Sequence, residues 1–176
     1  GDWGGASYGT YQIATKTGTM NSFLSYLKGA SAGMYKQLSG KSPGSAAFNA
    51  AWKAIATANP GGFDTIQHNF IKQSHYDPAV NSIKKAIGFD TNKYSSALQN
   101  VVWSMATQHG TGGATNIFKA AGIKQGMDEA TIIKKLYAER SSGNGSKYFS
   151  RSSSGVRQSV VNRFKSELND ALKMLG

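Results

Sequence analysis

The first twelve residues combine side-chain types that suit contact with a polysaccharide. Four glycines lie among the first nine positions, and they let the backbone pass close to a sugar chain. Trp3, Tyr8 and Tyr11 have flat faces that stack on sugar rings and also carry a polar tip. Gln12, and Gln108 much later in the chain, both donate and accept hydrogen bonds, which suits hydroxyl and N-acetyl groups. These residues predict a carbohydrate-binding surface.

Several other chemistries are disfavoured by the sequence. It contains no cysteine, so disulfides, thiolate metal sites and cysteine nucleophiles are excluded. His68 and His75 lie about 10 Å apart along a helix, which is too far to share one zinc ion unless the helix breaks between them. The glycines from Gly110 to Gly113 lack the Gly-Lys-Ser/Thr ending of a phosphate-binding loop. We therefore expect no metal and no cofactor.

The chain is strongly basic. Its 176 residues suit one domain, and 20 Lys and Arg against 9 Asp and Glu give a formal net charge of +11. Such a field attracts polyanions, namely nucleic acid, an anionic membrane surface or a cell wall bearing phosphates and carboxylates. No run approaches the roughly 20 apolar residues of a membrane span, and Gly1–Gly5 lacks the features of a signal peptide. We expect the chain to begin after any targeting segment or to be delivered by another route.

Apolar periodicity predicts a mainly α-helical domain over residues 1–176 with a small β-hairpin at its N-terminus. Alternation within residues 1–18 favours the hairpin, and the later segments show helical spacing. Ser45 is expected to cap a helix, and Asp77–Pro78 has the order of an N-cap followed by proline at the first helical position. Ser95–His109 is predicted to be the central helix, broken by the glycines that follow it.

Three stretches carry a resemblance to a known family. They are Gly1–Gln12, which contains Gly-Gly-x-Ser-Tyr-Gly-x-Tyr-Gln, then His75–Pro78 and Val101–Gly110, with a weaker stretch at Tyr137–Arg140 followed by Tyr148 and Phe149. In combination they resemble the lysozyme-like peptidoglycan hydrolases of phage lysins and type VI secretion effectors. The resemblance implies a lysozyme-like helical fold and cleavage between N-acetylmuramic acid and N-acetylglucosamine, by hydrolysis or lytic transglycosylation.

Glycosidic cleavage needs a carboxylic acid to protonate the leaving oxygen, with a second carboxylate or a positioned water on the other side. The resemblance implies a Glu just before the hairpin, but no Glu precedes Glu129. Three explanations stay open: the acid lies upstream of Gly1, an internal acid replaces it, or the domain binds the wall without cutting it. We favour the first, in which residues 1–176 lack an upstream helix and are inactive alone.

The resemblance also assigns roles to individual residues. It gives Asp2 a catalytic role, assisting a water or the developing oxocarbenium charge, although a turn residue beside glycine is equally compatible. Substrate contacts are predicted at Trp3, Ser7, Tyr8, Tyr11, Gln12, Gln108, His109 and Glu139. His109 also fits a helix C-cap whose charged form the helix dipole favours, and Glu139 also fits a structural partner of Arg140.

Two alternative functions stay open. One is a non-catalytic wall-binding domain, and the other is a basic nucleic-acid-binding module, which the aromatic and basic residues at 147–151 favour. The dispersal of the other basic residues disfavours the second. We expect peptidoglycan as the partner and no nucleic acid, together with an upstream domain or an immunity or delivery protein. The expected place of action is the periplasm or cell wall, reached by export, injection or phage-mediated release.

Overall fold

The computed structural model describes residues 7–9, 11, 13–15 and 18–176. The chain divides into two compact units, Gly1–Gln73 and Ser74–Gly176. Within the described residues the protein is mainly helical, with one two-stranded antiparallel sheet at the start. The prediction of a mainly α fold with an N-terminal hairpin is therefore confirmed, whereas the interpretation as one domain stays a prediction.

The first unit contains the hairpin and four helices. Strand β1 is Ser7–Tyr8 and strand β2 is Ile13–Ala14, and Tyr8 pairs with Ile13. The helices are α1 (Thr19–Ala30), α2 (Ala32–Leu38), α3 (Ala46–Ala58) and α4 (Pro60–Ile71). The side chains of Ser45 and Asn59 accept backbone N–H groups of the first turns of α3 and α4. These caps fix where the two helices begin, and Ser45 is the cap expected from the sequence.

An aromatic core holds the hairpin onto the helices of this unit. Phe23, Trp52 and Phe63 are buried, with ring centroids 4.7 to 6.3 Å apart. The Tyr8 ring lies 5.2 Å from the Trp52 ring, and its hydroxyl accepts the Gly44 N–H at 2.8 Å and donates to the side chain of Asn49. Because both hydrogen-bonding roles of this hydroxyl are used inside the protein, Tyr8 anchors β1 to α3.

A π-helical turn, Lys72–Tyr76, comes between α4 and α5 in the chain. Helix α5 (Asp77–Ile87) continues directly from it, because the backbone of Tyr76 is already helical. The expected N-cap at Asp77 is therefore wrong. A capping side chain needs an extended backbone at its own position, and here Asp77 is itself the first helical residue, one position before Pro78.

The second unit is built around α6 (Ser96–Ala120), which packs against α5, α7 and α8. After a short 3₁₀ turn (Thr91–Lys93), the remaining helices are α7 (Glu129–Arg140) and α8 (Ser154–Leu175). The expected break after His109 is a kink inside α6, where Gly110 has φ 73° and ψ 176°. Of the three glycines in this stretch, only Gly110 has a positive φ, and helical hydrogen bonding resumes on its far side. In the part of the chain described, no helix is long and apolar enough to cross a membrane.

Candidate functional site

One face of α4 is turned toward the hairpin. Asp64, Gln67 and His68 are spaced i, i+3 and i+4, so their side chains share a face of the helix. The Tyr11 hydroxyl lies 3.0 Å from His68 Nδ1, and the two rings are 5.7 Å apart. Burial, and to a lesser extent the negative charge of Asp64, raise the pKa of the Tyr11 phenol. The hairpin turn and this face of α4 therefore form one site.

A cavity of about 440 Å³ opens beside the hairpin turn. It is lined by Gly9, Trp52, Ala56, Pro60, Gly61, Phe63, Asp64 and Gln67. Most of this lining is apolar or aromatic, and it carries one carboxylate and one amide side chain. A concave apolar surface with a few directed polar groups is the usual form of a small-molecule or saccharide pocket.

The amide of Gln67 has an acceptor that the protein leaves unused. The side chain is 4% exposed, and its Nε2 donates to the Phe63 carbonyl at 3.3 Å. Its Oε1 is buried and has no hydrogen-bond partner among the described residues. A buried polar atom without a partner costs about 1–3 kcal/mol. Because Gln67 lines the cavity, an N–H or O–H of a bound ligand is the natural partner for this oxygen.

Gly9 brings the hairpin backbone against this amide. Its φ of 71° lies in the left-handed region, which favours glycine. A Cβ atom at this position would come within 2.2 Å of Gln67 Oε1 and 3.3 Å of the Trp52 ring. Any other residue would displace Gln67 and fill the mouth of the cavity, so the glycine keeps the pocket open.

Asp64 is the only acidic side chain in the described part of the first unit. It is half-buried in the cavity wall, and no Lys, Arg or His of the described residues lies within ion-pair distance of it. Its carboxylate is thus available to accept a hydrogen bond from a ligand or to stabilise positive charge on it. The other acidic residue of this unit, Asp2, lies outside the described residues.

The hairpin residues with predicted substrate contacts fall into three groups. Trp3 and Gln12 lie outside the described residues, as does Asp2. Tyr8 is 8% exposed and is engaged as the anchor of β1. Ser7 and Tyr11 are both half-buried, and Tyr11 contacts His68 in the site. The roles that the resemblance gave these residues stay predictions.

The other three predicted contact residues belong to the second unit. Gln108 is exposed and accepts a hydrogen bond from Arg163. Glu139 accepts the Tyr148 hydroxyl at 2.6 Å and pairs with Lys147, and these hydrogen bonds, the one from Lys147 foremost, lower the pKa of its carboxyl. Glu139 thereby ties the loop after α7 to the helix. The expected partnership of Glu139 with Arg140 is wrong, because Arg140 pairs with Glu167 instead.

His109 belongs to a buried polar cluster. Its ring lies 5.6 Å from the Tyr148 ring and 6.2 Å from the Phe164 ring, and its Nε2 lies 3.0 Å from Arg140 Nε. Since the guanidinium only donates, His109 Nε2 accepts and the ring proton sits on Nδ1. Burial first, then the charges of Arg140 and Arg163, lower the pKa of His109 to about 3. The expectation of a charged His109 is wrong, because the ring is buried and a cation lies beside it, although helical geometry is interrupted directly after it at Gly110 as expected.

This neutral histidine predicts an acid-sensitive fold. In the unfolded chain the pKa of histidine is about 6.5, so below that pH the unfolded chain takes up a proton that the folded protein refuses. The free energy of unfolding should be highest above pH ~6.5 and fall by up to ~1.4 kcal/mol per pH unit toward pH 3. Urea titrations at pH 7 and pH 5 should differ by about 2 kcal/mol.

The variant His109→Gln isolates this contribution, because a glutamine oxygen still accepts from Arg140. It should lose most of the difference between pH 7 and pH 5. A small part should remain, since burial also lowers the pKa of His75. If His109→Gln and the unmodified protein lose stability in parallel between the two pH values, His109 is not the group responsible.

Asp64, Gln67 and Trp52 were not among the site residues predicted from the sequence. The sequence did contain a signal for part of the site, because the i, i+3, i+4 spacing puts Asp64, Gln67 and His68 on one helical face. Nothing in the sequence showed that the hairpin turn packs against that face. The sequence also contains the order Gly-x-Ser-x-Gly at Gly29–Gly33. In hydrolases this motif presents a serine on a strand-to-helix turn, but Ser31 lies between two helices and accepts the Met34 N–H at 3.3 Å.

Among the residues that the structure describes, no group of three or more His, Asp or Glu side chains could hold a metal ion. The candidate site consists of Asp64, Gln67, Trp52 and the hairpin residues Gly9 and Tyr11. It can accept hydrogen bonds at two points, contact an apolar surface and place one negative charge.

Comparison with known proteins identifies the family. A family model described as "Type VI secretion system spike protein VgrG3-like, C-terminal" matches residues 1–168, so the chain belongs to this family. One relative is the type VI secretion system spike protein VgrG3 of Vibrio cholerae serotype O1, which is 35% identical over 133 residues. The match covers 74% of this chain and 12% of that relative, so the chain corresponds to a small part of it.

This finding corrects the family inferred from the sequence motifs. The resemblance placed the chain among lysozyme-like hydrolases of phage lysins and type VI secretion effectors. The lysozyme-like family is wrong as the family assignment, whereas the link to type VI secretion is confirmed. The model of the VgrG3-like C-terminal family instead matches residues 1–168, which is nearly the whole chain.

Proposed function

We propose that the first unit of this domain binds a peptidoglycan glycan strand at the hairpin-side cavity and takes part in cleaving it. The proposed bond lies between N-acetylmuramic acid and N-acetylglucosamine. The observation that supports this is the cavity itself, in which Asp64 and the unpartnered Gln67 Oε1 line a pocket with the Trp52 and Phe63 rings. Amino sugars offer the matching groups, because they carry hydroxyl and N-acetyl groups on a ring with apolar faces.

Each side chain has a definite part in this proposal. Gln67 Oε1 accepts the N–H of an N-acetyl group, and the part of the Trp52 side chain that lines the cavity contacts the apolar face of the ring. Asp64 contributes its negative charge, which stabilises the positive charge that develops on the sugar ring in an oxocarbenium-like transition state. Asp2 supplies the second carboxylate, as the sequence predicts. The net charge of +11 draws the domain to an anionic wall.

The family places this chemistry in a secretion setting. We propose that a type VI spike carries the domain into a target cell and that it acts on the wall from the periplasm. An upstream spike domain is then its carrier, and the producing cell needs an immunity protein against it. Membership in the family of spike C-terminal domains supports the proposed carrier, and the proposed activity supports the immunity protein.

The experiment that tests binding uses purified sacculi and DNA across a salt series. The salt series is informative because the affinity of a basic protein for nucleic acid falls steeply as the salt concentration rises. Retention on sacculi with weak binding to DNA supports the proposal. Preferential retention on DNA contradicts it and favours the nucleic-acid alternative. The assay should be run with residues 1–176 and with the longest natural polypeptide that contains them. If both proteins are retained on sacculi and neither releases soluble fragments, the domain binds the wall without cleaving it.

A further inference from the structure

The second unit has a cavity of its own, of about 540 Å³, formed entirely by α5 and α6. Its lining includes Asn81, Ser82 and Lys85 from α5 and Thr115 and Lys119 from α6. Helix α5 buries its other face, with Ala79, Val80 and Ile83 in the core. The cavity therefore lies along the outer side of α5, where the segment of α6 beyond the Gly110 kink runs beside it.

The charge in this cavity is positive and unbalanced. Lys85 and Lys119 are both exposed, and no described carboxylate lies within ion-pair distance of either. The next lysine along α5, Lys84, differs because it pairs with Asp90 at 3.4 Å. No Asp or Glu is among the lining residues. Two ammonium groups facing one concave surface without a counter-charge favour an anionic ligand.

The hydroxyl groups of the cavity restrict that ligand further. Thr115 Oγ1 donates to the Thr111 carbonyl at 2.9 Å, so its single proton is used. In the 2.7 Å contact between Ser82 Oγ and Thr115 Oγ1, Ser82 must therefore be the donor. Ser82 Oγ then has only lone pairs to offer to a ligand. It repels an oxyanion and accepts an O–H or N–H.

We propose that this cavity binds an oxyanion, phosphate or carboxylate, that carries a hydroxyl or amide N–H beside it. Lys85 and Lys119 hold the oxyanion, the Asn81 amide donates to it, and Ser82 Oγ accepts the neighbouring donor. Polyol phosphates and hydroxy acids both have this arrangement. The site is independent of the cleavage proposed above, because it uses neither the hairpin nor Asp64.

Amide chemical-shift titrations of residues 1–176 test this with two probes, glycerol phosphate and lactate. Glycerol serves as the uncharged control, and inorganic phosphate and acetate as controls without the neighbouring hydroxyl. We expect saturable shifts at residues 78–86 and 111–119, with weaker binding of the control anions and none of glycerol. Saturation by glycerol phosphate alone assigns the site to phosphates, and saturation by lactate alone assigns it to carboxylates.

Variants distinguish a defined anion-binding site from weak attraction by the overall positive charge of the protein. The double variant Lys85→Met/Lys119→Met should weaken binding at least about tenfold, since two charge-assisted contacts are lost. The matched control, Lys134→Met/Lys135→Met on α7, removes the same charge from exposed positions and should bind within about twofold. Equal weakening in both double variants, or no saturable shift with either probe, overturns the proposal. Asp64→Asn should bind the probes normally, so a failure of the proposed cleavage leaves this result unaffected.

Discussion

Replacing Asp64 by asparagine should lower the rate of wall cleavage by about 10² to 10³-fold. Asparagine has nearly the same shape and still accepts hydrogen bonds, so the change removes the negative charge and little else. In the proposed reaction this negative charge lies against the sugar ring, where positive charge develops in the transition state. The loss should therefore appear in kcat, with KM changed by a small factor.

The matched control is Asp170→Asn, which removes an exposed carboxylate from α8. It should leave the rate within about twofold, since exposed single charges contribute little. Both variants should be assayed in residues 1–176 and in the longest natural polypeptide containing them, which also tests the prediction that the proton donor lies upstream of Gly1. A rate for Asp64→Asn equal to that of Asp170→Asn would remove Asp64 from the site.

Replacing Glu167 by glutamine should lower the free energy of unfolding by about 3 kcal/mol. Arg140 is fully buried, with its guanidinium 4.0 Å from the centroid of the Phe164 ring, and its Nη1 lies 3.9 Å from Glu167 Oε2. Ser104 Oγ accepts from Arg140 and donates to Glu167 Oε1 at 2.9 Å. Without the glutamate, no carboxylate of the described residues lies within ion-pair distance of this buried cation, and that is more costly than losing one hydrogen bond.

Urea unfolding at pH 7 measures this effect, with Asp170→Asn on the same helix as the control. Removing both charges in Arg140→Met/Glu167→Leu should cost less than Glu167→Gln alone, because buried ion pairs are often replaceable by apolar side chains of similar size. A loss below about 0.5 kcal/mol in Glu167→Gln would show that Arg140 does not depend on this carboxylate.

Local signals in the sequence predicted the elements of the fold well. Ser45 accepts a backbone N–H group where α3 begins, and Gly110 marks the kink in α6. Such features depend on a few neighbouring residues, so a sequence reveals them directly. Asp77 is not a cap because the π-helical turn Lys72–Tyr76 runs directly into α5, and the local Asp-Pro pattern did not predict that turn.

The candidate site depended on contacts between distant segments. Gly9 and Gln67 lie 58 residues apart in the chain, and only the packing of the hairpin on α4 brings them together. No sequence pattern distinguished Asp64 from the acidic residues of α7 and α8. Likewise, no local pattern indicated that Glu139 pairs with Lys147 or that His109 accepts a hydrogen bond from Arg140, and the substrate contacts of Glu139 and His109 stay predictions.

Mass spectrometry of digested sacculi is the measurement that tests the proposed function most directly. Glycan cleavage predicts disaccharide muropeptides that end in N-acetylmuramic acid, or in its anhydro form if the reaction is a lytic transglycosylation. These products should fall by about 10² to 10³-fold with Asp64→Asn and stay unchanged with Asp170→Asn. Products cut only at amide bonds of the stem peptides, with the glycan strands intact, would contradict the proposal.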